Sequence, residues 1–509
     1  MEKIDKKSSL LSRRGLLTSA AALFAVPACA RAPETSLRPQ SRGRVSSVRG
    51  QNPGLRQLIS GAGLSGVTGV AIYDFQKKKI TSRHNDGAML PPASVMKVIT
   101  AQYALEALGA DFRFETGVYA TGPVQDGVVQ GDVILKGGGD PMMDSDHLGD
   151  LAMQLKTKGI RKITGRFLID DTALPTVPYI DGDQPVQAGY DPTISALNLN
   201  FNRVHFEWKP VGGGKYTLAM DARAKRYQPQ VTRVKAHLSD RDLPIFTHER
   251  SSDGEAWSVA RRALGRGGSR WLPVRDPALY VGDVFRTLAR SHGVVLPMAE
   301  RGVAANATRV GVHYSDPLHE IIRLTLKYST NLSAEIMGLM ATQKRGKSAS
   351  SLKASAKAMT TWARALIGPG SGGLKLMDHS GLGAKSRVTA YGMVSLLAAF
   401  EGRGQIRELL KPIKERHKTD PSLKRPENTI LAKTGTLDFV SSLAGYVETA
   451  DGKLFGFSVM SGDLKARRAG KRAKREVPKG ARSFNKRAKS LQRAVLRKIG
   501  DDAAFGGRR

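Results

Sequence analysis

The spacing of apolar and polar residues after the first fifty positions predicts alternating helix and strand. Leu55–Ile59 has a helical pattern, and Val67–Tyr73 is an apolar run rich in β-branched residues, which predicts a strand. Polar turn residues and Ile80 follow this run, as is typical of a β-hairpin. Two prolines then precede helical spacing over Ser94–Leu108, which the next glycine ends.

The middle of the chain has a different pattern. From residue 117 onward, short β-like runs alternate with Gly, Pro and Asp, and they include Val128–Leu135, Ile163–Asp170 and Val204–Trp208. Longer elements return afterwards: helices are predicted at Leu318–Leu326, Ala334–Met340, Leu352–Leu366 and Val388–Phe400, and strands at Leu443–Glu448 and Leu454–Met460. The sequence therefore predicts a β-rich insert, residues 117–309, inside an α/β or α+β domain formed by residues 51–116 and 310–500.

The C-terminal part of the chain is basic. Apolar residues recur on one face of Ser483–Ile499, which predicts a packed terminal helix with a basic outer face. The run Lys465–Lys479 has no such apolar face, and we therefore expect a solvated basic loop over residues 465–482 of the α/β or α+β domain. From Lys465 to Arg509 there are 17 Lys and Arg residues against 3 Asp and Glu residues.

The first thirty residues have the organisation of an export signal. A basic region leads into the apolar stretch Leu16–Val26 and ends in a small-x-small sequence, Ala28-Cys29-Ala30. The pair Arg13-Arg14 resembles a twin-arginine signal, and an ordinary Sec signal is the alternative. Lipidation of Cys29 is less favoured because a proline lies two residues before it. We expect residues 1–30 to be removed, residues 31–50 to form a linker, and the protein to work in the periplasm.

Composition narrows the chemistry further. The chain has 509 residues, a net charge of +35 and one cysteine. Removal of Cys29 leaves no thiol, which excludes disulfides, thiol nucleophiles and Cys-ligated zinc. The positive charge suits either nucleic acid or an anionic polymer of the cell envelope, and export argues against nucleic acid as a partner. Beyond the N-terminus, no apolar run approaches the ~20 residues of a membrane-spanning helix.

Two motif matches lack the context that their chemistry needs. Gly61–Gly66 matches G-x-G-x-x-G, but a helical stretch precedes it and a strand follows, so we interpret it as a turn and not a dinucleotide site. His319–Arg323 differs from the zinc motif H-E-x-x-H because arginine, which cannot bind zinc, replaces the second histidine. No metal or organic cofactor is predicted.

Three short motifs occur in an informative order. They are S-x-x-K at Ser94–Lys97, S-x-N at Ser329–Asn331 and K-T-G at Lys433–Gly435. S-x-x-K also occurs at Ser350 and Ser483, but the other two motifs do not follow there in order. A set of this kind is typical of penicillin-binding proteins and class A β-lactamases.

The residue types fit nucleophilic catalysis by serine. Ser94 needs a base to become a nucleophile, and Lys97 lies one helical turn away. Lys97 can act as a base only if its pKa falls, through burial or through a second cation such as Lys433. Ser329 can pass a proton to the leaving amine, and Asn331 can hydrogen-bond the substrate amide.

The K-T-G segment supplies binding groups. Lys433, Thr434 and Thr436 offer a cation and two hydroxyls, which suit a free carboxylate on the substrate. A backbone N–H at the start of the Ser94 helix, with the N–H of Thr436, can hold the oxyanion of a tetrahedral intermediate. We therefore predict Ser94, Lys97, Ser329, Asn331 and Lys433 as catalytic residues, and Thr434, Gly435 and Thr436 as substrate-binding residues.

With these motifs, the chain resembles the D-alanyl-D-alanine carboxypeptidase/endopeptidases, the low-molecular-mass penicillin-binding proteins with inserted domains. Gly131–Pro141 resembles the motif of their insert, Asp378–Leu382 resembles their D-G-S-G-L segment, and Lys433–Tyr446 their K-T-G strand pair. The resemblance implies a serine β-lactamase/transpeptidase-like catalytic domain, an antiparallel sheet flanked by helices, with β-rich inserted domains.

The chain also departs from this family. His379 stands where the family usually has glycine, and Gly383–Ser386 replaces a stretch that commonly contains an arginine. In relatives that arginine is implied to hold the free end of the peptide side chain. At Ala384 that contact is missing, and Lys385 or Arg387 are the candidates to replace it.

The resemblance implies a periplasmic, penicillin-sensitive serine peptidase. Its substrates would be peptidoglycan peptides, cleaved at D-Ala–D-Ala bonds or at D-Ala–diaminopimelate cross-links, and β-lactams would be covalent inhibitors at Ser94. The alternatives are a β-lactamase-like hydrolase and a catalytically inactive scaffold that binds the cell wall. Lys97 argues against the scaffold, because binding alone does not require it.

Overall fold

The computed structural model describes residues 54–368, 373–414, 428–472 and 477–505. The predicted export signal and linker lie outside these residues. The first described elements are helix α1 (Leu55–Gly61), strands β1 (Val67–Asp74) and β2 (Lys79–His84), and helix α2 (Met96–Leu108). The predicted hairpin and helix are therefore present, except that Ser94 lies in a 3-10 turn, Ala93–Val95, that leads into α2.

The middle of the chain contains many short strands and two helices. The strands are β3 (Glu115–Ala120), β4 (Val124–Gln125), β5 (Val128–Val129), β6 (Val133–Gly137), β7 (Lys162–Ile163), β8 (Phe167–Asp170), β9 (Arg203–Gly212), β10 (Lys215–Asp221), β11 (Val234–Ser239), β12 (Phe246–Ser251), β13 (Gly254–Ala260), β14 (Gly268–Pro273), β15 (Ala299–Arg301) and β16 (Thr308–Tyr314). The helices are α3 (Ser145–Thr157) and α4 (Pro277–Ser291).

The part of the chain after the insert contains most of the helices and the three long strands of the central sheet. The helices are α5 (Leu318–Tyr328), α6 (Asn331–Lys344), α7 (Leu352–Ile367), α8 (Ala390–Phe400), α9 (Ile406–Leu409), α10 (Leu464–Arg472) and α11 (Ala481–Phe505). The strands are β17 (Leu374–Lys375), β18 (Arg387–Val388), β19 (Lys411–Pro412), β20 (Thr429–Leu437), β21 (Val440–Glu448) and β22 (Leu454–Gly462).

A six-stranded antiparallel sheet lies at the centre of the part of the chain outside the insert. Its strand order is β19-β20-β21-β22-β1-β2, so the first strands of the chain pair with the last. Apolar side chains of α1 and α11, such as Leu58, Leu491 and Val495, pack with Val70 and Val459 on one face. Helix α8 lies against the opposite face, beside a larger core formed by α2, α5, α6 and α7. The predicted sheet flanked by helices is confirmed.

The insert closes on itself. Strand β3 pairs antiparallel with β16 in a five-stranded sheet of order β15-β8-β6-β3-β16, which brings the two ends of the insert together. It has its own core, with Phe167, Trp257 and Phe285 among its fully buried residues. The strands that pair at its two ends run from Glu115 to Tyr314, and the boundaries 117–309 stay a prediction.

The prediction of a basic loop over residues 465–482 is wrong in its first part. Helix α10 occupies Leu464–Arg472, where we expected irregular structure, and residues 473–476 of the predicted loop lie outside the described residues. The Asp463 carboxylate accepts a hydrogen bond from the Ala466 N–H (2.8 Å), which caps the helix start. Arg467 is buried and donates to the Asp438 carbonyl oxygen (2.9 Å). A cap and one anchored arginine therefore hold this helix without an apolar stripe.

Among the described helices, none combines the length and the apolar composition required to cross a bilayer. In the same residues, no group of three or more His, Cys, Asp and Glu side chains is placed to hold a metal ion.

Candidate active site

The site begins at the turn that holds Ser94. Ala93 has a positive φ of 49°, and the next residues continue into α2, so Ser94 lies at a sharp bend before the helix. Strand β20 passes close to this bend at Gly435. A Cβ atom at position 435 would lie 2.9 Å from the Ser94 nitrogen and 2.9 Å from the Pro92 carbonyl oxygen. Only glycine allows this approach, which places the K-T-G strand beside Ser94.

Lys97 is buried directly behind Ser94. Its side chain is 1% exposed, and its Nζ donates to Ser94 Oγ (3.1 Å), Asn331 Oδ1 (2.6 Å) and the Ser380 carbonyl oxygen (2.8 Å). These three acceptors come from three separate segments of the chain. The S-x-x-K spacing thus places an amine within hydrogen-bond distance of the serine oxygen, as a general base requires.

Burial, the largest cause, and the nearby charge of Lys433 together lower the pKa of Lys97 to about 7, while Glu335 and Asp378 act in the opposite direction. An ammonium group away from water loses its hydration, which favours the neutral amine. A substantial fraction of Lys97 is therefore neutral near physiological pH.

Lys433 connects the other two motifs. Its Nζ donates to Ser329 Oγ (2.9 Å) and to the Thr434 carbonyl oxygen (2.8 Å). Ser329 ends helix α5 in a left-handed conformation, with φ of 63°, which orients its side chain toward β20. Burial lowers the pKa of Lys433 to about 8, with a smaller contribution from Lys411. The five predicted catalytic residues therefore form two hydrogen-bonded groups, one of Ser94, Lys97 and Asn331 and one of Ser329 and Lys433. The charge of Lys433 acts on Lys97, so the two groups are close enough to interact electrostatically.

The predicted binding residues lie on an open strand edge. Strand β19 covers β20 only at Leu431 and Ala432, so the segment from Lys433 onward has no strand on its outer side among the described residues. Thr434 and Thr436 are exposed there. An extended peptide could add to this edge and reach both hydroxyls.

A comparison with known protein families decides the identity. The model of the D-Ala-D-Ala carboxypeptidase 3 (S13) family matches residues 55–481, which include all three motifs. This chain belongs to that family. The family resemblance and the transpeptidase-like fold predicted from the sequence are confirmed.

Individual relatives of this family member have low sequence identity, but the alignments cover most of both chains. The D-alanyl-D-alanine carboxypeptidase of Actinomadura sp. (strain R39) is 27% identical over 485 residues, which cover 82% of this chain and 83% of the relative. The D-alanyl-D-alanine carboxypeptidase DacB of Haemophilus influenzae is 24% identical over 431 residues, which cover 78% of this chain and 87% of the relative.

The crystal structure of penicillin-binding protein 4 from H. influenzae superposes with a TM-score of 0.68 at 21% identity. The match covers 87% of this chain and 99% of that structure. The same protein has also been solved as a complex with a β-lactam, with a TM-score of 0.66 to this S13 family member. These likenesses agree with the fold described above.

Two buried carboxylates, Glu335 and Asp378, hold the segment that contacts Lys97. The sequence analysis included Asp378 in a motif but did not identify Glu335. Glu335 accepts from the backbone N–H groups of His379 (2.9 Å) and Ser380 (2.8 Å), which fixes the segment whose carbonyl oxygen binds Lys97. Asp378 accepts from backbone N–H groups of the following turn, which it thereby closes. Burial raises the pKa of Glu335 to about 8 and that of Asp378 to about 6.

Helical spacing could have revealed Glu335. It lies four residues after Asn331 on α6, so the two side chains lie on the same face of that helix.

Asn331 is engaged on both sides of its amide. Its Oδ1 accepts from Lys97, and its Nδ2 donates to the carbonyl oxygen of Tyr190 (2.7 Å), which belongs to the insert. The insert therefore contributes a contact to the site, and a substrate amide would have to replace Tyr190 to bind this Nδ2.

Lys385 and Arg387, the candidates to take the place of the arginine that this family commonly has near position 384, differ in their contacts. Arg387 donates to the carbonyl oxygens of Ala384 (2.7 Å) and Ser386 (2.8 Å), which ties it to its own loop. Lys385 is exposed.

The unusual His379 is accommodated by a glycine on the facing helix. The imidazole is completely buried, its Nε2 is 2.8 Å from Ser355 Oγ, and burial lowers its pKa to about 3, so it stays neutral. It packs against α6 at Gly338, where a Cβ atom would lie 2.1 Å from His379 Cγ. The histidine and the missing side chain at 338 are therefore complementary.

We expect Gly338→Ala to lower the free energy of unfolding by about 2 kcal/mol, because the new methyl group overpacks a rigid core position. Urea denaturation measures this change. In the His379→Ala background the same substitution should be neutral, or stabilising by up to ~1 kcal/mol, because alanine favours a helix over glycine. Equal losses in both backgrounds would contradict the pairing.

Proposed function

We propose that this S13 family member is a periplasmic serine peptidase that cleaves D-Ala–D-Ala bonds, and D-Ala–diaminopimelate cross-links, of peptidoglycan stem peptides. The observation that carries the proposal is the buried Lys97 amine within hydrogen-bond distance of Ser94 Oγ, together with the hydrogen bond between Lys433 and Ser329. Residues 1–30, with their basic and apolar regions, support export.

The acylation step follows from these contacts. Neutral Lys97 takes the proton of Ser94 while Oγ bonds to the carbonyl carbon of the scissile amide, and the negative charge moves to the carbonyl oxygen. The backbone N–H groups of Ser94 and Thr436 stabilise that oxyanion. When the C–N bond breaks, the proton that Lys97 took from Ser94 passes through Ser329, which Lys433 orients, to the leaving amine, and Lys97 becomes neutral again.

Deacylation uses the same groups in reverse. Lys97 takes a proton from water, the hydroxide oxygen bonds to the acyl carbon, and Ser94 Oγ leaves and recovers its proton. The hydroxyls of Thr434 and Thr436 and the charge of Lys433 bind the terminal carboxylate of the substrate, and Gly435 lets the strand carrying them approach Ser94. Asn331 orients the peptide amide once the substrate has replaced the Tyr190 carbonyl oxygen as the acceptor of its Nδ2.

The geometry gives less support to a β-lactamase. Both carboxylate oxygens of Glu335 accept backbone hydrogen bonds, so this buried glutamate is already used and is a poor base for a deacylating water. An acyl-enzyme with β-lactams should therefore persist.

Labelling with fluorescent penicillin tests the proposal, together with hydrolysis of a soluble D-Ala–D-Ala peptide. We expect a stable covalent label and release of D-alanine, and penicillin should inhibit that release. Rapid turnover of the penicillin would identify a β-lactamase. Absence of both labelling and hydrolysis would identify an inactive scaffold.

A further inference from the structure

Helix α11 carries a row of five cations on one face. Successive members are three or four residues apart, which places them above one another along the helix, and all of them are exposed. We call this row the α11 track; it consists of Arg482, Lys486, Lys489, Arg493 and Arg497. At 1.5 Å per residue the track is about 22 Å long.

The charges of the track are not neutralised within the described structure. Residues 481–505 include seven Lys and Arg residues against two Asp residues. Within residues 54–368, 373–414, 428–472 and 477–505, none of the five track cations forms a salt bridge. The cation of α11 that does form one is Lys498, which pairs with Asp502 and lies outside the track. The track is therefore a continuous positive surface facing solvent.

The track reaches the edge of the candidate active site. Lys489 and Arg493 line a cavity of about 110 Å³ whose other wall includes Thr434 and Thr436. Two neutral contacts fix the helix at this position: Gln492 donates to Ser441 Oγ (3.1 Å), and Asn485 donates to the Leu437 carbonyl oxygen (3.0 Å). The positive row thus continues from the residues proposed to bind the substrate carboxylate.

We propose that the α11 track is an exosite for peptidoglycan, binding free carboxylates of the polymer around the peptide that is being cleaved. This inference rests on the proposed function, because that function supplies the polymer. A row of about 22 Å is too long for one terminal dipeptide, whereas a polymer with repeated carboxylates can meet several cations at once. The cavity lined by Thr434, Thr436, Lys489 and Arg493 connects the substrate-binding strand with the track. A polymer that presents a stem peptide to Ser94 therefore also lies close to the track.

Each contact of this kind is weak. An exposed charge pair contributes a factor of about two to five in binding, and salt screens it. Several pairs on one polymer multiply these factors. The track is therefore expected to act on polymeric substrate and to have little effect on a small soluble peptide.

The test compares two triple variants with the same loss of charge. The track variant is Arg482→Gln, Lys486→Gln and Arg497→Gln, which leaves the cavity-lining Lys489 and Arg493 in place. The control variant is Lys235→Gln, Lys353→Gln and Lys357→Gln, which are exposed cations of the insert and of α7. Binding is measured by co-sedimentation with isolated sacculi at low salt. Both triples are made in the Ser94→Ala background, so that the sacculi are not digested.

We expect the track variant to bind sacculi about tenfold more weakly, and the control variant to bind like the unmodified Ser94→Ala protein. Sacculi whose carboxylates have been converted to amides should bind all proteins weakly and equally. If both triple variants lost the same amount of sacculus binding, the effect would be due to net charge and the exosite would be contradicted. If the track variant bound sacculi as well as the unmodified protein, the exosite would be excluded. A track defect seen on vesicles of anionic phospholipid, but not on sacculi, would overturn the carboxylate partner in favour of phosphate.

Failure of the exosite can be told apart from failure of the proposed function. With Ser94 restored, both triples should hydrolyse a soluble D-Ala–D-Ala peptide and take up penicillin label at the unmodified rate. Loss of these activities in the track variant alone would place the track in the catalytic machinery and contradict the exosite. Absence of both activities in the unmodified protein would refute the proposed function, while the sedimentation result would still decide the binding.

Discussion

Ser94→Ala is expected to abolish covalent labelling by penicillin and to slow peptide hydrolysis by roughly 10⁴-fold or more. Without Oγ no acyl-enzyme can form, and the remaining groups bind the substrate without attacking it. The fold should persist, because the substitution removes one oxygen whose partner, Lys97, keeps its hydrogen bonds to Asn331 and Ser380. Gel fluorescence of penicillin-treated protein and an unchanged thermal transition measure the two parts of this expectation.

A second S-x-x-K sequence in the chain provides the matched control. Ser350 and Lys353 have the same spacing as Ser94 and Lys97, but both are exposed, and Ser350 contacts Ser348 (3.1 Å) instead of a lysine. Ser350→Ala should label normally. If Ser94→Ala retained full labelling, the nucleophile would have to be sought elsewhere.

Lys97→Ala is expected to slow acylation by at least ~10²-fold, the usual effect of losing a general base. The unmodified enzyme should show a bell-shaped dependence of acylation on pH. Activity should rise through about pH 7, as Lys97 loses its proton, and fall above about pH 8, as Lys433 loses the charge that binds the substrate carboxylate. Stopped-flow measurement of kcat/KM, or of the acylation rate, across this range tests both limbs.

Lys433→Met separates the two lysines. The charge of Lys433 contributes to the lowered pKa of Lys97, so its removal should shift the rising limb of the profile to higher pH. The falling limb should disappear. An unshifted rising limb in Lys433→Met would exclude the electrostatic coupling.

The Lys97→Ala variant tests the base itself. If that enzyme acylated near the normal rate, Lys97 would be excluded as the base.

The sequence predicted the parts of the site that depend on local spacing. Ser94 and Lys97 lie one turn apart, so their contact follows from helical geometry alone. The positions of Ser329 and Lys433 could be predicted only as members of an ordered set of motifs. They are 104 positions apart, and the left-handed end of α5 that directs Ser329 toward the lysine has no sequence signal of its own.

Other features depend on contacts that a single sequence does not reveal. His379 is an unexplained departure until Gly338 is found against it on another helix. The contact between Tyr190 and Asn331 depends on how the insert folds over the site.

Helix α10 was missed for a different reason. We required an apolar stripe there, whereas its order depends on the cap at Asp463 and on Arg467, which reaches the turn after the K-T-G strand.

The strand order has a consequence for when activity arises during synthesis. Thr68 in β1 contacts Ser461 in β22 across 393 positions, so the central sheet is incomplete until nearly all of the chain has been made. The insert can close earlier, because its first and last strands, β3 and β16, pair with each other and β16 precedes β22 in the chain. Distant pairing of this kind is slow relative to local folding. The active site is therefore completed only after the insert has folded. A chain that ends before β22 lacks the strand between β21 and β1, and it should be unable to hydrolyse the cell wall.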